Sequence, residues 1–315
     1  MSTHLVTGGA GFIGSHIATA LVERGDKVCV LDNLSTGHRR NLEHLRGKID
    51  FIEGDLVNRQ DVERALDGVE VVFHEGALAS VPRSMTAPLD TNAACVTGTV
   101  NLLDAAQRCG VRRVVYGASS SAYGDRTTGT AKRESDLPAP VSPYAAAKLA
   151  GEFYCQAFTA GFGIETVSLR YFNVFGPRQD PESQYSAVIP KFVTLMLAGR
   201  RPTIFGDGKQ ARDFTYIDNV VRGNLLAADD PRAVGQTINV ATGEQFNLLE
   251  LVAAINRVLG THIEPIFYAP RPGDVRDSLA DISAARELLD FEPTVGFDEG
   301  LRRSIDYYRL LATKK

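Results

Sequence analysis

The chain has 315 residues, of which 44% are hydrophobic and 23% are charged, and its formal net charge is −4. This is the composition of an ordinary globular protein. The lysines and arginines are scattered, and so the sequence lacks the wide basic face that a nucleic-acid partner requires. No apolar run reaches the roughly 18 residues of a membrane-spanning helix, so we expect no membrane association.

The four cysteines are Cys29, Cys95, Cys109 and Cys155. They form no C-x-x-C pair and no set with histidines at the spacing of a metal site. We therefore expect reduced thiols and no bound metal. The amino terminus lacks the charged and apolar regions of a signal peptide. These observations together predict a cytoplasmic protein.

Strand and helix patterns alternate along the N-terminal half of the chain. Short apolar strands are predicted at residues 4–7, 27–32, 50–55, 69–74, 113–116 and 165–170, and helices at about 12–24, 58–66, 88–109 and 144–158. Such alternation predicts an α/β fold, a doubly wound parallel sheet of the Rossmann type with helices on both faces.

The pattern changes after about Asn173, where prolines and glycines become frequent. Helices are predicted at about 187–198 and 248–259, between irregular segments. We interpret residues 1–173, with a return at about 214–241, as a dinucleotide-binding domain. Residues 174–213 and 242–315 are predicted to form a smaller, mainly substrate-binding domain.

A glycine-rich turn lies between the first strand and the first helix. Gly8, Gly11 and Gly14 are spaced G-x-x-G-x-x-G. Glycine allows a tight turn and a close approach to a pyrophosphate, and the helix presents free N–H groups to that anion. A turn that serves packing alone is the less favoured alternative.

Two acids follow this turn at strand ends. Asp32 ends the second strand, where a carboxylate accepts hydrogen bonds from ribose hydroxyls and repels a 2′-phosphate. This favours NAD over NADP as the cofactor. Asp55, after the third strand, is placed to meet the adenine, although a solvated loop aspartate is almost as consistent with the sequence.

Tyr144 and Lys148 stand four residues apart at the start of a predicted helix, so their side chains share one face. An ammonium beside a phenol lowers its pKa and makes it a better base, which predicts a lowered pKa for Tyr144. A serine triplet, residues 119–121, follows the fifth strand and therefore falls at the carboxyl edge of the sheet. Taken alone, the triplet is also consistent with an ordinary turn.

These motifs give the chain a family resemblance over nearly its whole length. It resembles the extended short-chain dehydrogenase/reductases, and within them the UDP-glucose/UDP-N-acetylglucosamine 4-epimerases. The resemblance rests on residues 8–14, 32–37, 80–84, 119–124, 144–148, 169–181, 206–208, 212–214 and 271–274.

The resemblance implies a mechanism of transient oxidation at C4 of a UDP-hexose. Tyr144 takes the proton of the 4-hydroxyl with the help of Ser119. Lys148 holds the nicotinamide ribose of NAD. The 4-keto sugar then turns over and is reduced from its opposite face. Ser119 is chosen because it lies four residues before Tyr123, and the choice among the three serines is uncertain by one position.

The resemblance also implies the binding residues. The expected NAD contacts are Gly8, Gly11, Phe12, Ile13, Asp32, Asn33, Ser35, Thr36, Gly37, Asp55, Leu56, Ala77, Ala79, Asn92, Tyr144, Lys148 and Tyr171. The expected UDP-hexose contacts are Ser80, Arg83, Ser120, Ser121, Asn173, Ala187, Val188, Phe205, Arg212, Arg271, Asp274 and Ser278. The two arginines at 212 and 271 suit the diphosphate.

The alternatives are other enzymes of the same superfamily, or a non-catalytic NAD-binding sensor. The resembling 4,6-dehydratases carry an Asp-Glu pair where this chain has Ser120 and Ser121. The resembling glucuronate epimerases carry Thr and Arg where this chain has Asn173 and Asp180. A substrate carboxylate would be repelled near Asp180, which favours a neutral hexose.

Ser278 aligns with a gate position that is large in epimerases confined to unacetylated sugars. A serine there leaves space for a 2-N-acetyl group, so both plain and acetylated UDP-hexoses are expected substrates. A serine packed against loop backbone is the alternative. The resemblance further implies a homodimer formed by the helices at about 90–108 and 143–158, although the apolar residues there are equally consistent with an intramolecular core.

Overall fold

The structure, a computed structural model, describes residues 2–125, 130–181, 187–270 and 277–313. Its strands are β1 (Thr3–Thr7), β2 (Lys27–Asp32), β3 (Asp50–Glu53), β4 (Val71–His74), β5 (Arg113–Ser119), β6 (Glu165–Tyr171), β7 (Thr203–Phe205), β8 (Ala211–Arg212), β9 (Thr237–Val240), β10 (Phe246–Asn247), β11 (Ile266–Tyr268) and β12 (Asp277–Ser278). Its α-helices are α1 (Phe12–Arg24), α2 (Arg59–Ala65), α3 (Val81–Thr86), α4 (Pro88–Asn92), α5 (Gly98–Arg108), α6 (Pro143–Phe162), α7 (Val188–Leu197), α8 (Ile217–Asp229), α9 (Leu248–Leu259), α10 (Ser283–Leu289) and α11 (Phe297–Ala312).

A parallel sheet of seven strands, in the order β3-β2-β1-β4-β5-β6-β9, forms the centre of the fold. Every residue of β4 is buried, because helices cover both faces of the sheet. The predicted doubly wound Rossmann-type fold is confirmed. Strand order reverses between β1 and β4, and at such a switch point the carboxyl ends of the strands form a ligand crevice.

The helix predicted over residues 88–109 is confirmed as one run of helical backbone, with a π-helical turn in its middle. It consists of α4, a π-helical turn over Ala93–Thr97, and α5, and the separate helix α3 precedes it. Ala87 has an extended φ of −135° between α3 and α4. The proline that follows Ala87 disfavours helical backbone there, which explains the break.

Strand β5 continues three residues beyond its predicted end. Gly117 and Ala118 look like turn residues in the sequence, yet they pair with Leu169 and Arg170 of β6. Ser119 consequently ends a strand, and a 3₁₀ turn over Ser120–Tyr123 follows it.

The C-terminal part adds two small sheets, β10-β8-β12 and β11-β7, beside the main one. Strand β9 returns to the main sheet next to β6, and α8 packs on α1. The apolar core continues from the sheet into this part, where the Phe297 ring stacks on those of Phe246 and Phe214. The division into two domains stays a prediction.

Candidate active site

The predicted cofactor residues lie along the carboxyl edge of the sheet. The Gly8 turn follows β1, Asp32 ends β2, Glu75 follows β4 and Ser119 ends β5. Parallel strands bring these positions together although they are separated by tens of residues in the chain.

The glycine turn leaves no room for side chains. Gly8 has φ +65°, and a Cβ there would lie 2.8 Å from the backbone of Gly76. A Cβ on Gly14 would lie 2.4 Å from the carbonyl oxygen of Gly8. Helix α1 begins at Phe12 directly behind this turn, and Ile13 follows. The turn and the helix therefore form a bare backbone cradle that fits a pyrophosphate.

Asp32 is fixed beside this cradle. Its Oδ2 accepts the Ala10 N–H at 2.9 Å and its Oδ1 accepts the Leu34 N–H at 2.8 Å. Burial raises the pKa of Asp32, and these hydrogen bonds oppose the rise. Each carboxylate oxygen has a second lone pair, which suits a ribose hydroxyl. The buried carboxylate fits NAD and disfavours the phosphate of NADP.

The remaining predicted NAD residues lie mainly in the loops that follow the neighbouring strands. Asn33 donates from Nδ2 to Asp55 Oδ2 at 2.8 Å, and Leu56 packs against Gly76. The other predicted contacts occupy the loops after β2 and β4 and the end of α4: Ser35, Thr36, Gly37, Ala77, Ala79 and Asn92.

Tyr144 and Ser119 form the centre of the predicted catalytic set. Their side chains come together, although they lie 25 residues apart on α6 and β5, and Ser119 stabilises the phenolate form of Tyr144. Ser121 donates from its Oγ to the Oγ of Ser119 at 2.8 Å. Because Ser119 accepts this bond, its own proton is available to Tyr144. Of the three serines, Ser119 is the one beside Tyr144. Ser121 lies behind Ser119, to which it donates its hydrogen bond.

The predicted lowering of the Tyr144 pKa is wrong for the chain by itself. Burial raises the pKa of Tyr144, the negative charge of Glu75 adds to the rise, and the Ser119 hydrogen bond only opposes it. Lys148 is buried and donates from Nζ to the carbonyl of Gly117 at 2.6 Å. The cost of desolvating the phenolate therefore outweighs the stabilisation by the Lys148 ammonium that the four-residue spacing predicted.

Tyr171 ends β6 at the predicted place, but its hydroxyl has protein partners. It donates to Glu75 Oε1 at 2.7 Å and is hydrogen-bonded to the Asn224 side chain. Burial raises the pKa of Glu75, and the bond from Tyr171 lowers it. The structure therefore turns the hydroxyl of Tyr171 toward a half-buried carboxyl that was not among the predicted site residues.

Three predicted substrate residues meet beside the smaller sheet. Asn173 donates from Nδ2 to Ser278 Oγ at 3.3 Å, and Ser278 pairs in register with Arg212. Ser278 is buried. The three residues come from distant parts of the chain and form one wall.

The other predicted substrate residues lie on several separate elements. Ser80 caps the amino terminus of α3, and Arg83 lies in that helix. Ala187 caps α7, Val188 begins it, and Phe205 ends β7 with its ring 5.9 Å from that of Tyr268. Ser120 and Ser121 lie in the 3₁₀ turn after β5. Arg271 and Asp274 lie outside the described residues.

The prediction of a neutral hexose assumed that Asp180 lies near the sugar, and the structure gives Asp180 a different position. Its carboxylate lies 3.4 Å from Nε2 of His38, whose backbone N–H donates to the Ala10 carbonyl. Asp180 therefore lies on the side of the crevice where Asp32 is found. Its charge is no basis for excluding an acidic sugar.

Asp213 is a further residue that sequence reasoning overlooked. It was visible only as the middle residue of the motif at 212–214, and nothing in the sequence gives its partners. In the structure its carboxylate accepts hydrogen bonds from Thr242, Gly243 and Ala280. Gly117 was likewise not among the predicted site residues, although its carbonyl accepts a hydrogen bond from the Lys148 ammonium.

Within the described ranges, no group of three or more His, Cys, Asp or Glu side chains is arranged to hold a metal ion. Among the same residues, no helix has the length and apolarity needed to cross a bilayer.

These features together are typical of one class of enzyme. A Rossmann-type sheet with a glycine cradle, a buried aspartate at the end of the second strand, and Ser119, Tyr144 and Lys148 at the carboxyl edge of the sheet is the arrangement of a dinucleotide-dependent enzyme of the short-chain dehydrogenase/reductase type.

Comparison with known proteins gives the family. Residues 4–241 match the model of the NAD dependent epimerase/dehydratase family. The chain is 39% identical to the UDP-glucose 4-epimerase of Mycolicibacterium smegmatis over 97% of this chain and 98% of that protein. The chain belongs to the NAD dependent epimerase/dehydratase family, and its cofactor is NAD.

Solved structures of similar proteins hold different UDP-sugars. The UDP-N-acetylglucosamine 4-epimerase of Methanobrevibacter ruminantium, in complex with UDP-N-acetylmuramic acid, is 39% identical with a TM-score of 0.94, covering 98% of this chain and 99% of that one. The UDP-glucuronic acid 4-epimerase of Bacillus cereus, in complex with UDP-glucuronic acid and NAD, is 34% identical with a TM-score of 0.91 and the same coverage.

Proposed function

We propose that this chain is a UDP-hexose 4-epimerase that acts on UDP-glucose/UDP-galactose and on UDP-N-acetylglucosamine/UDP-N-acetylgalactosamine. The observation that carries the proposal is the meeting of Ser119, which accepts a hydrogen bond from Ser121, with Tyr144 and Lys148 at the carboxyl edge of the sheet. The similarity to the M. smegmatis and M. ruminantium enzymes supports it.

The proton movement follows from these contacts. Tyr144 accepts the proton of the sugar 4-hydroxyl as phenolate and later returns it, so no proton is gained or lost over the cycle. Ser119 donates to the phenolate oxygen while Ser121 donates to Ser119. When bound, NAD would supply the two-electron oxidation and re-reduction at C4, and the positive charge of its oxidised ring would oppose the burial that raises the pKa of Tyr144.

Lys148 positions the cofactor in this scheme. An ammonium has three donors, and one of them reaches the Gly117 carbonyl. The others suit the hydroxyls of the nicotinamide ribose. The ammonium lies 4.8 Å from the centre of the Tyr116 ring, which shields it from water on that side.

The breadth of substrates rests on Ser278. Its side chain is small and buried, and it is hydrogen-bonded to Asn173, whose backbone adopts a positive φ of 33°. A small side chain in this wall leaves space for a 2-N-acetyl group. UDP-glucuronate is the second candidate substrate, because Asp180 faces His38 and the B. cereus enzyme is similar.

The homodimer is also a proposal. Three large apolar side chains on α4 and α6 are exposed: Leu89 at 82%, Phe153 at 55% and Tyr154 at 41%. An unpartnered apolar surface of this kind is typical of an interaction site. We expect the pairing to involve these two helices and the neighbouring α5.

The test of the activity is to incubate purified protein separately with UDP-glucose, UDP-N-acetylglucosamine and UDP-glucuronate, and to follow the products by proton NMR. We expect epimers of the first two. Tyr144→Phe should lower the rate at least about a hundredfold, because it removes the general base. The matched control is Tyr154→Phe on the same helix, whose side chain is exposed. Loss of water, loss of CO₂ or no reaction contradicts the proposal.

A further inference from the structure

Asp213 is a fully buried carboxylate directly after Arg212. We propose that Asp213 is a positioning residue that fixes Asn173, Arg212 and Ser278 in one arrangement and thereby sets the affinity for the UDP-sugar. The inference rests on the proposed function, because it concerns the substrate wall of that site.

The first support is the number of bonds to one carboxylate. Oδ1 accepts the N–H of Thr242 at 3.0 Å and its hydroxyl at 2.7 Å. Oδ2 accepts the N–H groups of Gly243 at 2.9 Å and Ala280 at 3.3 Å. Four donors from two separate chain segments thus converge on Asp213. Hydrogen bonds to a buried charge are stronger than neutral ones, so this carboxylate fastens both segments to β8.

The second support is the backbone of the same residue. The Asp213 N–H donates to the Ser278 carbonyl at 2.6 Å, and the Asp213 carbonyl accepts Asn173 Nδ2 at 3.1 Å. Asn173 Nδ2 also donates to Ser278 Oγ. Arg212 is the preceding residue and pairs in register with Ser278. The three predicted UDP-sugar ligands of this wall are therefore held to one another through Asp213.

The reacting atoms are elsewhere. Ser119 and Tyr144 lie on β5 and α6, whereas the hydrogen-bond partners found for the Asp213 carboxylate belong to Thr242, Gly243 and Ala280. An effect of Asp213 should consequently appear in substrate affinity, and the chemical step should be largely spared.

The charge of Asp213 gives a pH dependence. Burial raises its pKa to about 6, against the lowering by its four hydrogen bonds. Below that pH the protonated carboxyl faces N–H and O–H donors, so at least one of these bonds is lost. Affinity for the UDP-sugar should therefore be fully present above pH 6 and should fall as pH drops through 6. The other charged groups on the surrounding segments are Lys132, Arg212, Glu244, Asp277 and Asp281.

The experiment measures binding of UDP-glucose to the NAD-loaded enzyme by calorimetry between pH 5.5 and 8, in the Tyr144→Phe background to prevent turnover. The diphosphate of UDP-glucose does not titrate in this range. At pH 7.5, Asp213→Asn should weaken binding at least about tenfold, and Thr242→Val, which removes the hydroxyl bond to Asp213 together with the hydroxyl's two bonds to the Glu244 backbone, about threefold to tenfold. In enzymes that retain Tyr144, KM should rise with kcat largely retained.

The matched control is Asp281→Asn. Asp281 lies in the segment next to Ala280, and its carboxylate accepts the Ser283 N–H and the Arg133 side chain. The Asp281→Asn enzyme should bind UDP-glucose as tightly as the parent, which is the Tyr144→Phe enzyme. The loss of affinity below pH 6 should be present in the parent and absent in Asp213→Asn.

Different results would contradict the proposed function and the positioning role of Asp213. If the parent binds NAD but no UDP-sugar, the proposed function is wrong. If the parent binds UDP-glucose while Asp213→Asn and Thr242→Val bind it equally well, the positioning role is wrong. A fall in kcat with KM unchanged also overturns that role. If Asp213→Asn does not fold, Thr242→Val alone decides the question.

Discussion

A buried ion pair anchors the helix that carries Tyr144 and Lys148. Arg170 of β6 donates from Nε to Glu152 Oε1 at 3.0 Å and from Nη2 to Oε2 at 2.7 Å. The two side chains are only 5% and 2% exposed. Replacing Glu152 by Gln leaves the Arg170 charge buried and without a counter-ion.

The structure gives the size of the effect. Removing one partner of a buried pair costs about 3–5 kcal/mol. The amide oxygen of Gln retains one hydrogen bond, so we expect a loss of about 3 kcal/mol for Glu152→Gln. At about 2 °C per kcal/mol for a chain of this size, the melting temperature should fall roughly 6 °C.

The chain offers a control with the same chemistry at the surface. Arg286 donates to Glu292 through the same two nitrogens, at 2.8 and 3.1 Å, but the side chains are 53% and 61% exposed. Glu292→Gln should cost less than about 1 kcal/mol because water screens an exposed pair.

The assay is thermal and urea unfolding at one saturating concentration of NAD, because bound cofactor itself raises stability. Replacing both members of the buried pair by Leu should cost less than Glu152→Gln, since no unpaired charge remains. Part of that benefit is offset by the loss of the Arg170 contact with the Tyr123 ring, 4.5 Å away. If Glu152→Gln and Glu292→Gln lower the free energy of unfolding equally, burial does not strengthen the Arg170–Glu152 pair and the prediction is wrong.

The remaining predictions concern the cofactor, the substrate and the assembly. Gly14→Ala should abolish retention of NAD, measured by release of nucleotide from denatured protein, because its Cβ would lie 2.4 Å from the Gly8 carbonyl oxygen. Gly161→Ala, whose Cβ meets nothing within 4 Å, is the control that should retain it. Ser278→Tyr should remove turnover of UDP-N-acetylglucosamine and spare UDP-glucose in the NMR assay, and equal loss of both would contradict the gate. Leu89→Glu should shift the light-scattering mass from dimer to monomer, and a parent that is itself monomeric would disprove the proposed pairing.

Local patterns explain how much of the cofactor site was visible in the sequence. The glycine spacing at Gly8, Gly11 and Gly14 belongs to a single strand–turn–helix unit, whose backbone demands can be read from a few consecutive residues. Asp32 ends the next strand along the chain. The alternation of strands and helices was enough to predict the parallel sheet, because each element buries its own apolar residues.

Residue patterns along the chain were thus enough to predict the fold class, the glycine cradle and the candidate residues along the strand ends. Which of these residues meet became clear only in the folded chain. Ser119 lies beside Tyr144, Tyr171 turns toward Glu75, and Asp180 faces His38. Such contacts depend on strand order and register, which bring together side chains far apart in the chain. Their electrostatics depend on burial, and for this reason the Tyr144 pKa rises where the spacing of two residues predicted a fall.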